Sequence, residues 1–272
     1  MRHRLAFRVL GSLSPRIASR RAYRLFLTPP RHPYSAEELA LLREAEFMVV
    51  PFPTRRLAVW RWGDAAAPAV LLVHGWGGRG AQMRAFVRPL LAAGYSVVAF
   101  DAPGHGMSGH GETTFVHFAY AVETLARRFG PLAGVIAHSF GGAVTSYVLG
   151  CGVAVERVVL IAPPASMVEA SHSFARLLRI PEHVRRLMQQ RIESRYGVHW
   201  QDFEIEQVAA RLNTPALIVH DRDDREVPLR AGERYAASWP GARLLATTGL
   251  GHRRILREPA VVEEVIAFLK KG

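Results

Sequence analysis

Gly134-Val135-Ile136-Ala137-His138-Ser139-Phe140-Gly141-Gly142 is the stretch from which the fold can be read. A short apolar run ends in a serine, and two glycines and a helix-like segment follow at once. That order predicts strand, sharp turn and helix, with Ser139 at the apex of the turn. A serine so placed sits in a strained backbone conformation that projects its hydroxyl clear of the sheet, an arrangement known as a nucleophile elbow. The usual pattern is G-x-S-x-G; here Ala137 stands in for the first glycine and Gly141 keeps the second. Small residues flank the serine because strand and helix backbones pass close together at such a turn.

Working outward, apolar, buried-type strands are expected at residues 69–74, 95–101 and 157–162, and further strands at 215–221 and 242–247. Segments with helical spacing separate them, at residues 82–93, 114–129, 228–238 and 259–270. Ahead of them, residues 47–52 and 57–62 read as an antiparallel pair, and Ser35-Ala36-Glu37-Glu38 matches a capping box that opens a short helix. Strand–helix alternation predicts an α/β fold with a mostly parallel, doubly wound sheet. The alternation pauses after the sixth strand, where about fifty residues of helical pattern look like a lid. The expected organisation is a basic arm at 1–36, a core at 37–162 and 213–272, and a helical lid at 163–212.

The net charge of +12 would suggest nucleic acid if it were spread over the body. It is not: residues 1–36 hold eight arginines and no acid, which leaves +4 for the other 236 residues. The body lacks a basic stripe with interleaved aromatics, so no nucleic-acid partner is expected. The arm is too interrupted for a secretory signal, since Arg8 breaks its one apolar run. A solvated arm, or a helix packed on the body, is favoured over a basic helix in weak peripheral contact with a membrane. No stretch reaches the ~20 apolar residues of a spanning helix. The single cysteine, Cys151, excludes an intramolecular disulfide and reads as a buried structural thiol. A cytoplasmic location is expected, with peripheral membrane association through the arm left open.

A serine hydroxyl needs a base to take its proton, and the base is usually a histidine oriented by a carboxylate. Downstream of Ser139 lie an acidic cluster, Asp221-Arg222-Asp223-Asp224, and then His252 in Gly251-His252. Each follows an expected strand, so serine, acid and base fall at one edge of the sheet, where ligands bind in open α/β sheets. His172-Ser173-Phe174 repeats the elbow's tripeptide without a preceding strand or following glycines, and belongs to a lid helix.

With these residues in hand the chain resembles the α/β-hydrolase superfamily over residues 47–270, close to capped hydrolases of the esterase and lipase kind. The resemblance is carried by His74-Gly75-Trp76-Gly77-Gly78, Asp101-x-x-Gly104-His105-Gly106-x-Ser108, the Ser139 elbow, Asp224-x-x-Val227-Pro228 and Gly251-His252. It implies Asp224 as the acid, ahead of Asp221 and Asp223, and His252 as the base. It also implies backbone N–H donors from Phe140 and Trp76 for an oxyanion, and structural roles for His74 and His105 in their turns. His138 is expected to pack beside the site. His110, His117, His172, His183, His199 and His220 are assigned to the surface or to satisfied core.

No metal-ligand spacing, phosphate loop or dinucleotide frame is present, so no metal and no cofactor are expected. The function expected is a serine hydrolase that cleaves small-molecule carboxylic esters through Ser139, His252 and Asp224 by an acyl-enzyme. An apolar acyl or alcohol group would suit a lid bearing Met167, Phe174, Leu177, Leu178, Met188, Tyr196, Trp200 and Phe203, most of them expected to be packing residues. The alternatives are an amide or C–C bond hydrolase on the same triad, or a non-catalytic ligand-binding scaffold.

Overall fold

The computed structural model describes Phe7 and residues 10–53 and 55–271. Its strands are β1 (Glu46–Phe52), β2 (Arg55–Trp62), β3 (Ala69–Val73), β4 (Ser96–Phe100), β5 (Leu132–His138), β6 (Val158–Ile161), β7 (Ala216–Asp221) and β8 (Arg243–Thr247). They form one sheet in the order β1-β2-β4-β3-β5-β6-β7-β8. β1 and β2 pair antiparallel, as does β2 with β4, and every other pairing is parallel.

The apolar runs explain the layering. β3 through β7 are buried at every position, because helices cover both faces of the sheet. Within β3 the side chains alternate between two cores. Val70 and Leu72 pack with Met83, Phe86, Leu90 and Phe268, while Leu71 and Val73 pack with Phe118, Leu125, Val144 and Val148.

Ahead of the sheet lie α1 (Pro15–Leu27) and α2 (Ala36–Arg43). The connecting helices are α3 (Val87–Ala92), α4 (Phe115–Phe129) and α5 (Phe140–Gly150). After β6 come α6 (Met167–Leu178), α7 (Glu182–Tyr196) and α8 (Ile205–Ala209), and the chain closes with α9 (Leu229–Ser238), α10 (Gly251–Arg254) and α11 (Pro259–Leu269). The helical stretch expected at 82–93 is split: a 3₁₀ segment, Gly80–Phe86, precedes α3. Pro89 lacks the N–H that a continuous helix would use there, but fits the first turn of a helix restarted at Val87.

The sequence order reverses about β3, which sends β4 to one side and β5 to the other. Such a switch point opens a crevice at the carboxyl ends of the strands. The turns after β3 and β5, which carry Trp76 and Ser139, meet there.

Two features depart from the sequence reading or sharpen it. Cys151 is exposed, not buried. The apolar side of α5 ends at Leu149, and Cys151 lies beyond the helix as its C-terminal cap, where no further turn packs over it. Pro15–Leu27, part of the arm, is the ordered helix α1, laid along α7. Ala18 and Ala22 are fully buried, His183 Nε2 bonds the Gly11 carbonyl at 3.0 Å, and the Tyr23 and Tyr196 hydroxyls lie 3.5 Å apart. Small side chains let the two helices approach closely, and an added Cβ on Gly11 would stand only 2.8 Å from Pro181.

Candidate active site

Ser139 has φ 52° and ψ −127°, a conformation that side-chain-bearing residues rarely adopt and that costs about 1–3 kcal/mol. Its surroundings enforce it. Ser139 N–H donates to the Ile161 carbonyl at 2.8 Å, and the Ser139 carbonyl accepts from Gly142 N–H at 2.8 Å. The turn after β3 presses against the elbow. A Cβ on Gly141 would lie 2.3 Å from the His74 carbonyl oxygen, and one on Gly75 would lie 2.8 Å from Ser139 Cβ. Ala137 is tolerated because it sits in the sheet, in register with Val73 and Leu160, where its methyl joins the core.

The three residues expected to work together are brought into one line. Ser139 Oγ lies 2.9 Å from His252 Nε2, and His252 Nδ1 lies 2.7 Å from Asp224 Oδ2. This fixes the tautomer: Nδ1–H donates to Asp224 and Nε2 accepts from the serine hydroxyl. The other oxygen of Asp224 accepts the Glu226 and Val227 N–H groups at 2.8 and 2.9 Å. Burial pushes the Asp224 carboxyl up, but the bond and charge of His252 and these two N–H donors more than offset it, so its pKa is lowered.

The neighbouring aspartates do different work. Asp221 accepts from Leu250 N–H (3.1 Å), Gly251 N–H (2.9 Å) and Thr247 Oγ1–H (2.7 Å), so it ties down the loop that presents His252. Asp223 accepts from Gly249 N–H at 2.8 Å. Asp221 also accepts from Asp223 N–H at 3.0 Å.

His138 does more than pack beside the site. Its Nε2–H donates to the His252 carbonyl at 2.9 Å, which couples the strand below the elbow to the backbone of His252. Burial, and then the nearby His252, push its pKa down to about 3. His220 is fully buried, donates Nε2–H to the Val227 carbonyl at 2.9 Å, and leaves Nδ1 without a partner among the described residues. Spacing offered no signal for the first bond, since His138 and His252 lie 114 positions apart.

The turn carrying Trp76 is held by two neutral imidazoles. His74 Nδ1–H donates to the Gly75 carbonyl at 2.7 Å, and its Nε2 accepts Ala102 N–H at 2.9 Å. His105 Nε2 accepts Gly77 N–H at 3.0 Å, and its Nδ1–H donates to the Pro103 carbonyl at 3.1 Å. Burial lowers the first to about 4 and the second to about 3. The turn's internal bond runs from Gly78 N–H to the Gly75 carbonyl and leaves the Trp76 N–H aside. Phe140 N–H is the first of α5, where no earlier helical turn supplies an acceptor. The Trp76 and Phe140 rings meet edge to face at 5.2 Å. Beyond them, the buried Asp101 accepts Gly80 and Met107 N–H and the Tyr34 hydroxyl, while Arg79 pairs with the buried Glu38 at 2.6 Å.

A cavity of about 570 Å³ opens over Ser139 and His252. Its lining includes Trp76, Phe115 and Phe140 from the core, and Met167, Phe174, Leu177, Tyr196, Trp200 and Phe203 from the insert. Six of the eight apolar insert residues singled out in the sequence therefore face the cavity, more than expected; Leu178 and Met188 do not. The sequence reading missed the contribution of α1. Leu25, Phe26 and Leu27 form part of the wall, and the Phe26 ring lies 5.1 Å from Phe174 and 5.5 Å from Trp200. The apolar triplet just before Pro29-Pro30 was the available signal. Ser173 lies in α6 and donates to the Glu169 carbonyl at 3.1 Å. Among the described residues no metal-ligating cluster occurs, and no helix is long and apolar enough to cross a membrane.

A family model described as "Alpha/beta hydrolase family" matches residues 70–265. A serine hydrolase-like protein of Danio rerio is 34% identical over 107 residues, 38% of this chain and 32% of that protein. A probable serine hydrolase of Drosophila melanogaster is 31% identical over 129 residues, 44% of this chain and 38% of that protein, so these matches span little more than a third of the relatives' length. The uncharacterized hydrolase YugF of Bacillus subtilis is 24% identical over 249 residues, 74% of this chain and 89% of that protein. Among solved structures, the esterase Pf2001 of Pyrococcus furiosus superposes with a TM-score of 0.66 at 21% identity, covering 89% of this chain and 98% of the other. The esterase RhEst1 of a Rhodococcus species gives 0.63 at 20%, covering 84% and 99%. The sheet order, the elbow and a family match that covers most of the core lead to one conclusion: the chain belongs to the alpha/beta hydrolase family.

Proposed function

We propose that this protein is a serine hydrolase that cleaves small carboxylic esters bearing an apolar acyl or alcohol group. The observation that carries the proposal is the unbroken line from Asp224 through His252 to Ser139, at 2.7 and 2.9 Å, on the floor of an apolar cavity. In the proposed reaction, His252 Nε2 takes the hydroxyl proton as Ser139 Oγ attacks the acyl carbonyl. Asp224 stabilises the imidazolium that forms. The N–H groups of Phe140 and Trp76 receive the oxyanion, and such donors are each worth about 3–4 kcal/mol at comparable sites. His252 then gives its proton to the leaving alcohol, and the acyl group stays on Ser139. A water molecule, deprotonated by the same imidazole, releases the acid and restores the serine.

The cavity supports the apolar preference: its lining is aromatic and aliphatic, with Glu169, Arg176, Glu226 and Arg230 also on its wall. A non-catalytic binding scaffold is disfavoured, because strained Ser139 is kept together with both of its partners.

The test is a fluorophosphonate probe with the adduct located by mass spectrometry. Labelling at Ser139 that is lost in His252→Ala is expected; an unlabelled intact protein refutes the proposal. Parallel p-nitrophenyl esters and p-nitroanilides then separate ester from amide hydrolysis, and a vinylogous 1,5-diketone tests C–C cleavage on the same triad.

A further inference from the structure

Helix α1 presents two unlike faces. The inner one packs Ala18 and Ala22 against α7, and its last turn gives Leu25, Phe26 and Leu27 to the cavity wall. The outer one carries Arg16, Ile17, Arg20, Arg21 and Arg24, which at 3.6 residues per turn fall within about 140° of arc. Ile17 is 55% exposed, and Leu13, just ahead of the helix, is 78% exposed. Residues 1–36 contain no acid to balance these arginines. Several arginines of the body are paired with acids, as Arg79 is with Glu38 and Arg234 with Glu206. Among the described salt bridges none involves Arg16, Arg20 or Arg24, all of which are exposed.

We infer that the outer face of α1, with Leu13 beside it, docks on an anionic lipid surface. Two properties act together here. Unpaired guanidinium groups are drawn to a negatively charged leaflet, each contributing roughly fivefold in affinity near the surface. Exposed leucine and isoleucine beside them gain by entering the boundary between headgroups and acyl chains. A dissolved polyanion offers the arginines counter-charge but gives Leu13 and Ile17 nowhere to bury, so the pair of features selects a bilayer over a nucleic acid. The same helix ends in the wall of the cavity, so docking would bring the cavity to the lipid surface. This inference does not rest on the chemistry at Ser139.

The test uses the full chain and extruded vesicles of phosphatidylcholine with and without phosphatidylglycerol. Sedimentation with the anionic vesicles is expected, weakening as salt shortens the screening length. The triple variant Arg16→Glu, Arg20→Glu, Arg24→Glu should bind at least about a hundredfold more weakly. The double variant Leu13→Ser, Ile17→Ser should bind several-fold more weakly at unchanged charge. All these side chains are exposed, so both variants should keep the wild-type Tm. The inference is overturned if anionic vesicles do not sediment the protein, or if pure phosphatidylcholine does so equally. It is also overturned if the triple variant binds as wild type, or if the double variant binds as wild type while soluble heparin competes fully.

Discussion

Acidification should unfold this protein through three histidines that the fold keeps neutral. His74 Nε2 and His105 Nε2 already accept backbone N–H groups from Ala102 and Gly77, so a proton on either nitrogen would set N–H against N–H. His138 spends its one N–H on the His252 carbonyl and is buried with its other nitrogen facing the Gly75 turn. Burial lowers their pKa values to about 4, about 3 and about 3. The sign follows directly. The unfolded chain takes up these protons near pH 6.5, whereas the folded chain refuses them until near pH 4 or below. Stability is therefore complete above about pH 6.5 and falls as pH drops toward 4. Each histidine contributes about 1.4 kcal/mol per pH unit in that window. Asp101, raised by burial, opposes them by holding at most one proton in the folded state. The net uptake on unfolding is then two to three protons, or about 3–4 kcal/mol per unit. By pH 5 the loss reaches about 4–6 kcal/mol, comparable to the whole stability of an ordinary domain. The assay is urea unfolding followed by circular dichroism at intervals between pH 7.5 and 5. His105→Gln should reduce the slope by about one proton whatever it does to the absolute stability. A slope below one proton across this range, or one unchanged in His105→Gln, would refute the reasoning.

Other expectations follow from the same geometry. Asp224→Asn should leave the fold intact but lower kcat by on the order of 10⁴, because an amide no longer enforces the Nδ1–H tautomer; steady-state ester hydrolysis measures it. Asp221→Asn replaces one acceptor oxygen with an amide NH2 that faces backbone N–H donors, freeing the Leu250–His252 loop, and should lower kcat about 10–100-fold with KM little changed. In Gly141→Ala the methyl meets the His74 carbonyl, so a loss of about 3 kcal/mol or more is expected in denaturant titration, with no labelling of Ser139 by the probe. Phe26→Ala removes part of the cavity wall, and should raise KM for octanoyl and decanoyl esters several-fold while sparing acetyl esters; equal effects at all lengths would place Phe26 outside the acyl path.

Local pattern carried much of this protein. The Ser139 elbow, the apolar runs before each turn and the order of Ser139, Asp224 and His252 are short-range features. A strand buried on both faces must be apolar throughout, and a turn in which two backbones touch must have small residues. Such constraints write themselves into neighbouring positions, so the sheet, the helical insert and the meeting of the three residues at one edge were legible.

What tertiary structure alone decided involves contacts between residues far apart in the chain, for which neighbouring positions hold no record. Asp221 resembled a spare acid beside Asp224 until its oxygens were seen to hold the Leu250 and Gly251 N–H groups of the His252 loop. His138 became a support of His252 only through a bond to a backbone carbonyl, an atom every residue possesses. Cys151 was exposed because α5 ends one residue too soon to bury it. The arginine-rich arm, whose composition spoke only of charge, supplied an apolar cavity wall because Ala18 and Ala22 let α1 lie close on α7 and point Phe26 inward. Composition records which side chains a segment has; packing determines which of them face solvent and which face the site.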